Sequence, residues 1–152
     1  MTQSVMPLIG TWRLKEWRNV TPDGRSVWPL GREATGYISY SADGHVFVHL
    51  MAAGRTHYVG SDPFGGTPEE DAAAMKSQIT SAGRYDFHGD HVVHHATHAS
   101  FPNLVESAQR RTVTLAGDAL RLSAESALLR GQAVTALLDW LRAAPFDQGD
   151  RQ

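Results

Sequence analysis

The 152-residue chain is long enough for a single domain that buries about two thirds of its unfolded surface without added cross-links. It contains no cysteine, which excludes disulfide frameworks, thiolate nucleophiles, iron–sulfur clusters and cysteine-ligated zinc. A net charge of −2, with no stripe of Lys and Arg, argues against a nucleic-acid partner.

The N-terminal sequence MTQSVMPLIG has neither a basic region nor an apolar run of signal-peptide length. No stretch of the chain approaches the roughly 20 apolar residues of a membrane span. We therefore expect a cytoplasmic protein with no membrane partner. Residues 1–143 are predicted to form the domain, and residues 144–152, which are polar and terminal, are expected to be a flexible tail.

Tight turns are the clearest local signal, because Asp-Gly and Gly-Asp pairs supply the positive φ angles that short hairpins need. They occur at residues 22–24, 42–44, 88–90 and 116–118. The runs between them alternate apolar and polar residues with the period of a half-buried strand. Strands are predicted at residues 9–20, 35–41, 45–51, 84–87, 91–100, 107–115, 119–124 and 132–141, with shorter ones at 25–30 and 56–59. A meander of about eight to ten such strands avoids exposed edges by closing, which predicts an all-β, antiparallel up-and-down barrel.

One segment, GGTPEEDAAAMKSQITSAG, has the pattern of a helix. Thr67 can cap its N-terminus, Glu70 completes a capping box, and Gly83 offers a C-terminal stop. Met75 and Ile79 lie on its apolar face. We expect a short helix that either caps the barrel or forms a lid over a ligand, which Met75 would then contact.

Residues 131–144 are ambiguous by periodicity. Val134, Leu138 and Leu141 fit one face of a helix, but the same stretch also alternates as a strand. Closure of a barrel needs a last strand that pairs with the first, and periodicity alone leaves both interpretations open.

Seven short strings occur in an order that resembles the bacterial lipocalin-like domain family. They are GTWRL at 10–14, GYISYSADGHV at 36–46, GTPEE at 66–70, AGRY at 82–85, HH at 94–95, FPN at 101–103 and RR at 110–111. The resemblance, over residues 8–142, implies a lipocalin-like barrel with its strands in sequence order and residues 131–142 as the closing strand. It also implies that Trp12 lies at the closed end of the barrel, covered by Arg110 or Arg111. It implies no particular reaction.

Five of the eight histidines lie between residues 88 and 100. Two of them, His88 and His91, flank a turn and are expected in water. Regular alternation places His94 and His98 on one face, about 13 Å apart, and His95 on the other. That distance is too long for one metal ion, so a metal site would need His49 from a neighbouring strand.

Acid/base chemistry needs only one imidazole in an apolar cavity and a partner that fixes its tautomer. A carboxylate of the first strand faces inward if that strand alternates regularly, whereas a bulge would turn it outward. The catalytic candidates are His49, His94, His95, His98 and Glu16. The ligand-binding candidates, aromatic or methionine side chains, are Tyr37, Tyr40, Phe47, Met51, Tyr58, Tyr85 and Met75.

The sequence thus predicts a barrel that binds a small hydrophobic or aromatic molecule, with cofactor-independent cyclase, isomerase or lyase chemistry as a variant. No cofactor is predicted, since neither Gly-x-x-x-x-Gly-Lys nor Gly-x-Gly-x-x-Gly occurs. Two alternatives stay open: a His-ligated metalloprotein, and a non-catalytic dimeric interaction module whose barrel is filled by side chains. A homodimer is a prior expectation.

Overall fold

The computed structural model of the chain describes residues 6–129 and 131–146. Within them lie nine strands, one α-helix and one 3-10 turn. The strands are β1 (Gly10–Val20), β2 (Ser26–Val27), β3 (Thr35–Tyr40), β4 (His45–Met51), β5 (Gln78–Phe87), β6 (His91–Ala99), β7 (Ala108–Ala116), β8 (Ala119–Leu129) and β9 (Gln132–Arg142). The helix α1 spans Pro68–Lys76, and the 3-10 turn spans Pro102–Leu104.

Eight of the strands form a closed antiparallel barrel in sequence order. Each pairs with the next, and β1 pairs with both β3 and β9, which removes the sheet edges. The short β2 is an additional strand on the last two residues of β1. Positive φ angles occur at the predicted turn glycines, for example 91° at Gly44 and 88° at Gly89. The predicted fold class is confirmed.

The closing strand is β9, as the family resemblance implied. It pairs with β1 on one side and with β8 on the other, so backbone hydrogen bonds of both neighbours depend on it. Val134, Ala136 and Trp140 are buried on its inner face. Barrel closure therefore decides between two periods that the sequence alone could not separate.

The closed end of the barrel is organised around Trp12, which is fully buried and donates a 3.0 Å hydrogen bond from Nε1 to the carbonyl of Leu8. The guanidinium of Arg142 lies 4.1 Å from the Trp12 ring centroid and donates to two carbonyls of the segment before β1. The expectation that Arg110 or Arg111 covers this ring is wrong. Arg142 lies directly opposite Trp12 in the β1–β9 pairing, whereas the other two lie on β7.

The helix begins as predicted, since Thr67 and Glu70 form a capping box. It ends at Lys76 rather than at Gly83, because β5 begins at Gln78 and pairs with β4. Gly83 is instead part of β5, where an added Cβ would lie 1.9 Å from a carbonyl oxygen of β6. No helix residue is buried.

Two short predicted strands differ from the structure. The one at 25–30 is reduced to the two residues of β2, and the one at 56–59 does not form. The predicted flexible tail lies largely outside the described residues, which end at 146. In those described ranges, no helix has both the length and the apolar character needed to cross a bilayer.

Candidate functional site

The barrel encloses a cavity of about 290 Å³. Its walls are mainly apolar side chains of the barrel strands. Space is left where small residues face inward, as at Ala124 and Ala136, which lie opposite each other on β8 and β9. Pro29 and Leu104, from two connections, complete the wall. Eight strands can enclose one small ligand when their inner side chains leave room, and here they do.

A bulge in β1 decides which of its residues face this cavity. The register with β9 shifts between Leu14 and Glu16, so Trp17 and Asn19 line the cavity in place of the residues that regular alternation would select. Glu16 lies on the outer face and accepts a 2.8 Å hydrogen bond from Nε1 of Trp28. The sequence left the side of Glu16 open, and the structure has the bulge that turns it outward, because one additional residue reverses the side-chain parity.

A second irregularity separates the histidines of β6. Gly83 lies opposite Ala96, while the residue before Gly83 lies opposite His98, so β6 has one additional residue at this point. His94 and Ala96 face inward and are buried. His98 is exposed, so the expectation that it shares a face with His94 is wrong. His95 is on the outer face, where its Nε2 lies 2.8 Å from a carboxylate oxygen of Asp86 on β5.

His94 is the one histidine that lines the cavity among the residues that the structure describes. Its Nε2 lies 2.8 Å from the hydroxyl of Tyr40, which is fully buried behind it. Burial lowers the pKa of His94 from 6.5 to about 3, and the positive charge of Arg111 acts in the same direction. Burial also raises the pKa of Tyr40. Both groups are therefore neutral at pH 7. In the tautomer of His94 that leaves Nε2 unprotonated, the Tyr40 hydroxyl donates this hydrogen bond to Nε2.

Arg111 supplies the positive charge of the cavity. It lies on the inner face of β7, two residues from Gln109, and both side chains line the cavity. Its Nη2 donates a 2.9 Å hydrogen bond to Oε1 of Gln109. Burial lowers the pKa of Arg111, although a guanidinium remains charged at neutral pH. The cavity is thus mainly apolar, with a few polar groups and one cation.

Trp140 adds a donor without a protein acceptor. Its side chain is 1% exposed and lines the cavity, and its Nε1 is a buried polar atom with no hydrogen-bond partner in the described part of the chain. Trp17, by contrast, donates from Nε1 to Oδ1 of Asn19 at 3.1 Å. Because an unsatisfied buried donor is costly, the Trp140 N–H is a natural contact for a bound acceptor.

Four candidates lie together on the outer surface of the barrel. Tyr37 and Phe47 are 59% and 53% exposed, and Tyr37 lies directly opposite His49 in the β3–β4 pairing. Met51 shares this outer face and is also exposed. The prediction that these residues line the interior is wrong. Alternation groups them correctly on one face, but the neighbouring residues of the same strands form the core.

The remaining three candidates also lie away from the cavity wall. Tyr58 donates a hydrogen bond to Asp71 of the helix at 2.8 Å. Met75 is 39% exposed on the helix. Tyr85 packs edge-on against Tyr40 and donates to the carbonyl of Ser41 at 2.8 Å. Of the predicted site residues, only His94 lines the cavity, and Tyr40 contacts it from behind.

The prediction pairs His49 with one of the histidines at 94, 95 and 98. His49 and His94 lie on opposite faces of the sheet, so they form no interior pair. His49 and His98 do line one pocket, but that pocket is on the outer surface of the barrel. In the ranges 6–129 and 131–146, no three His, Asp or Glu side chains come together as a metal site. The metalloprotein alternative therefore has no supporting geometry in this part of the chain.

Seven polar or aromatic residues of the cavity wall were not predicted to line it: Trp17, Asn19, Thr80, Ser81, Gln109, Arg111 and Trp140. The alternation of inward and outward residues was visible in the sequence for β7 and β9. On β7, for example, Gln109 and Arg111 are two residues apart. What was missing was the choice of inner face, which depends on register.

Two comparisons relate the chain to known proteins. A family model described as a lipocalin-like domain matches residues 9–143. The chain is also 30% identical over 82 residues to a protein of Aspergillus oryzae named as a 4'-hydroxy-3'-methoxypropiophenone carrier protein. That alignment covers 49% of this chain and 74% of the relative.

Proposed function

Because this chain belongs to the lipocalin-like domain family, we propose that its barrel binds a small aromatic molecule in the interior cavity and releases it unchanged. The observation that carries the proposal is the cavity of about 290 Å³, with mainly apolar walls and a few polar groups. Small-molecule sites generally have this composition, in which apolar area supplies affinity and a few polar atoms fix orientation.

The size of the cavity favours a single substituted ring. An apolar cavity of about 150 Å³ is enough to bind benzene in another protein. This cavity has about twice that volume, which leaves room for substituents but not for a long lipid chain. The relative's printed ligand, an aryl ketone with one ring, is of this size class.

Transport or storage is favoured over catalysis by the state of His94. A general base or acid works best with a pKa near the operating pH. His94 has a pKa lowered to about 3, so at pH 7 it is both a weak base and unable to donate as an imidazolium. Its Nε2 is also engaged by Tyr40.

Binding can be tested with 4'-hydroxy-3'-methoxypropiophenone and a cavity-filling variant. We expect quenching of tryptophan fluorescence on binding, because Trp17 and Trp140 line the cavity. Ala136→Leu adds bulk to the wall and should weaken binding by roughly tenfold or more. Ala133→Leu, on the exposed side of the same strand, is the matched control and should bind like the parent protein.

Unchanged binding by Ala136→Leu would contradict an interior site. Chromatography of the probe after long incubation tests the second half of the proposal. We expect quantitative recovery of the unaltered ketone. Steady conversion that depends on the protein would show that it is an enzyme rather than a carrier.

A further inference from the structure

The charge of Arg111 is not balanced within its surroundings. The ion pairs of the described residues join other groups, and Arg111 takes part in none of them. No Asp or Glu lines the cavity that it faces. Its protein acceptor is the neutral amide oxygen of Gln109. A guanidinium held in an apolar cavity without a carboxylate is costly to keep, and a ligand that supplies the missing charge would offset that cost.

The hydrogen-bonding groups of the cavity are unequally used. The amide oxygens of Gln109 and Asn19 already accept bonds from Arg111 and Trp17. The N–H of Trp140, in contrast, has no acceptor among the residues described. The cavity therefore offers an unused donor, the Trp140 N–H, and one cation, and both suit a ligand that carries acceptor oxygens.

We propose that the ligand of this barrel is an aromatic carboxylate whose anionic group binds the guanidinium of Arg111, with its ring against the apolar walls near Ala124 and Ala136. This inference rests on the proposed binding function and specifies the chemical class of the ligand. Arg is suited to the role because its planar guanidinium can donate two parallel hydrogen bonds to one carboxylate.

A purely structural role for Arg111 makes a different prediction. If Arg111 served mainly to stabilise the fold, its replacement by an apolar residue of similar length would lower the midpoint of thermal unfolding. If Arg111 instead serves the ligand, Arg111→Met should leave the midpoint of thermal unfolding unchanged or raise it, and should abolish recognition of the anion. Binding-site residues often reduce the stability of the fold in this way.

The test uses a matched pair of probes, 3-phenylpropanoate and 3-phenylpropanamide, which have nearly the same shape and differ in charge. Isothermal titration at pH 7 should show that the parent protein binds the carboxylate roughly tenfold to a hundredfold more tightly than the amide. This preference should disappear in Arg111→Met and persist in part in Arg111→Lys. Arg110→Met is the matched control, since the exposed Arg110 is its neighbour on β7, and should keep the full preference.

The outcomes separate this inference from the proposed function. Equal binding of the amide and the carboxylate, or a preference that survives in Arg111→Met, would overturn the carboxylate assignment while leaving an interior site intact. Failure of both probes and of the aryl ketone to bind would overturn both proposals. If Arg111→Met does not fold, the parent protein and Arg111→Lys still decide, because a parent protein without preference for the anion refutes the inference.

Discussion

Acidification from pH 7 to pH 5 should destabilise the folded protein through His94. The pKa of this imidazole is 6.5 when exposed and is lowered to about 3 in the folded state, first by burial and then by the charge of Arg111. Well above pH 6.5 His94 is neutral in both states and contributes nothing to the pH dependence. Between pH 6.5 and 3 the unfolded chain binds a proton that the folded chain excludes, so stability is lost as the pH falls.

The magnitude follows from the two pKa values. Linkage gives a loss of about 0.8 kcal/mol at pH 6 and about 2 kcal/mol at pH 5 relative to pH 8. The carboxylates whose pKa is lowered titrate mainly below this window. Asp43, for example, has its pKa lowered from 3.8 to about 2, so its contribution is lost only below about pH 4.

Urea unfolding followed by tryptophan fluorescence at pH 5, 6, 7 and 8 measures the effect, with His94→Gln as the reference. Glutamine can still accept a hydrogen bond from Tyr40 but does not titrate. The parent protein should lose about 2 kcal/mol more than the variant between pH 8 and pH 5. Equal losses in both proteins would refute the assignment of a buried, neutral His94.

Three further substitutions test the fold and the site. Arg142→Met removes two hydrogen bonds and the cation–π contact with Trp12, and should lower the free energy of unfolding in urea by about 1–3 kcal/mol. The control Arg32→Met, whose contact with Trp28 is at the surface, should cost less than about 1 kcal/mol. Equal effects of the two substitutions would contradict this account of the closed end. Gly83→Ala forces a Cβ to 1.9 Å from a carbonyl oxygen and should lower the unfolding midpoint by several degrees, whereas Gly60→Ala, with open space, should not. His49→Ala should leave the affinity for the aryl ketone unchanged, since this imidazole lies on the outer face, and a loss of tenfold or more would place the site outside the barrel.

The candidate site was predicted only in part, and the reason is the same on three strands. Alternation correctly grouped Phe47, His49 and Met51 on one face of β4, yet nothing local says which face is the core. On β1 and β6, single additional residues reversed the parity beyond Leu14 and Ala96. The additional residue of each bulge is neither a glycine nor a proline, so no local pattern indicated the bulge. The sequence therefore could not place Glu16 or His98.

The sequence by itself determined the elements whose causes are local. Asp-Gly and Gly-Asp pairs specified the turns, and the Thr67–Glu70 capping box specified the start of the helix. Two-residue alternation specified most strands, but it did not decide β9 or the first part of β5. Tertiary structure alone decided where the helix ends, which arginine covers Trp12, and which side chains meet inside the barrel. These outcomes depend on register between strands distant in sequence, and a shift of one residue exchanges the inner and outer faces of a strand.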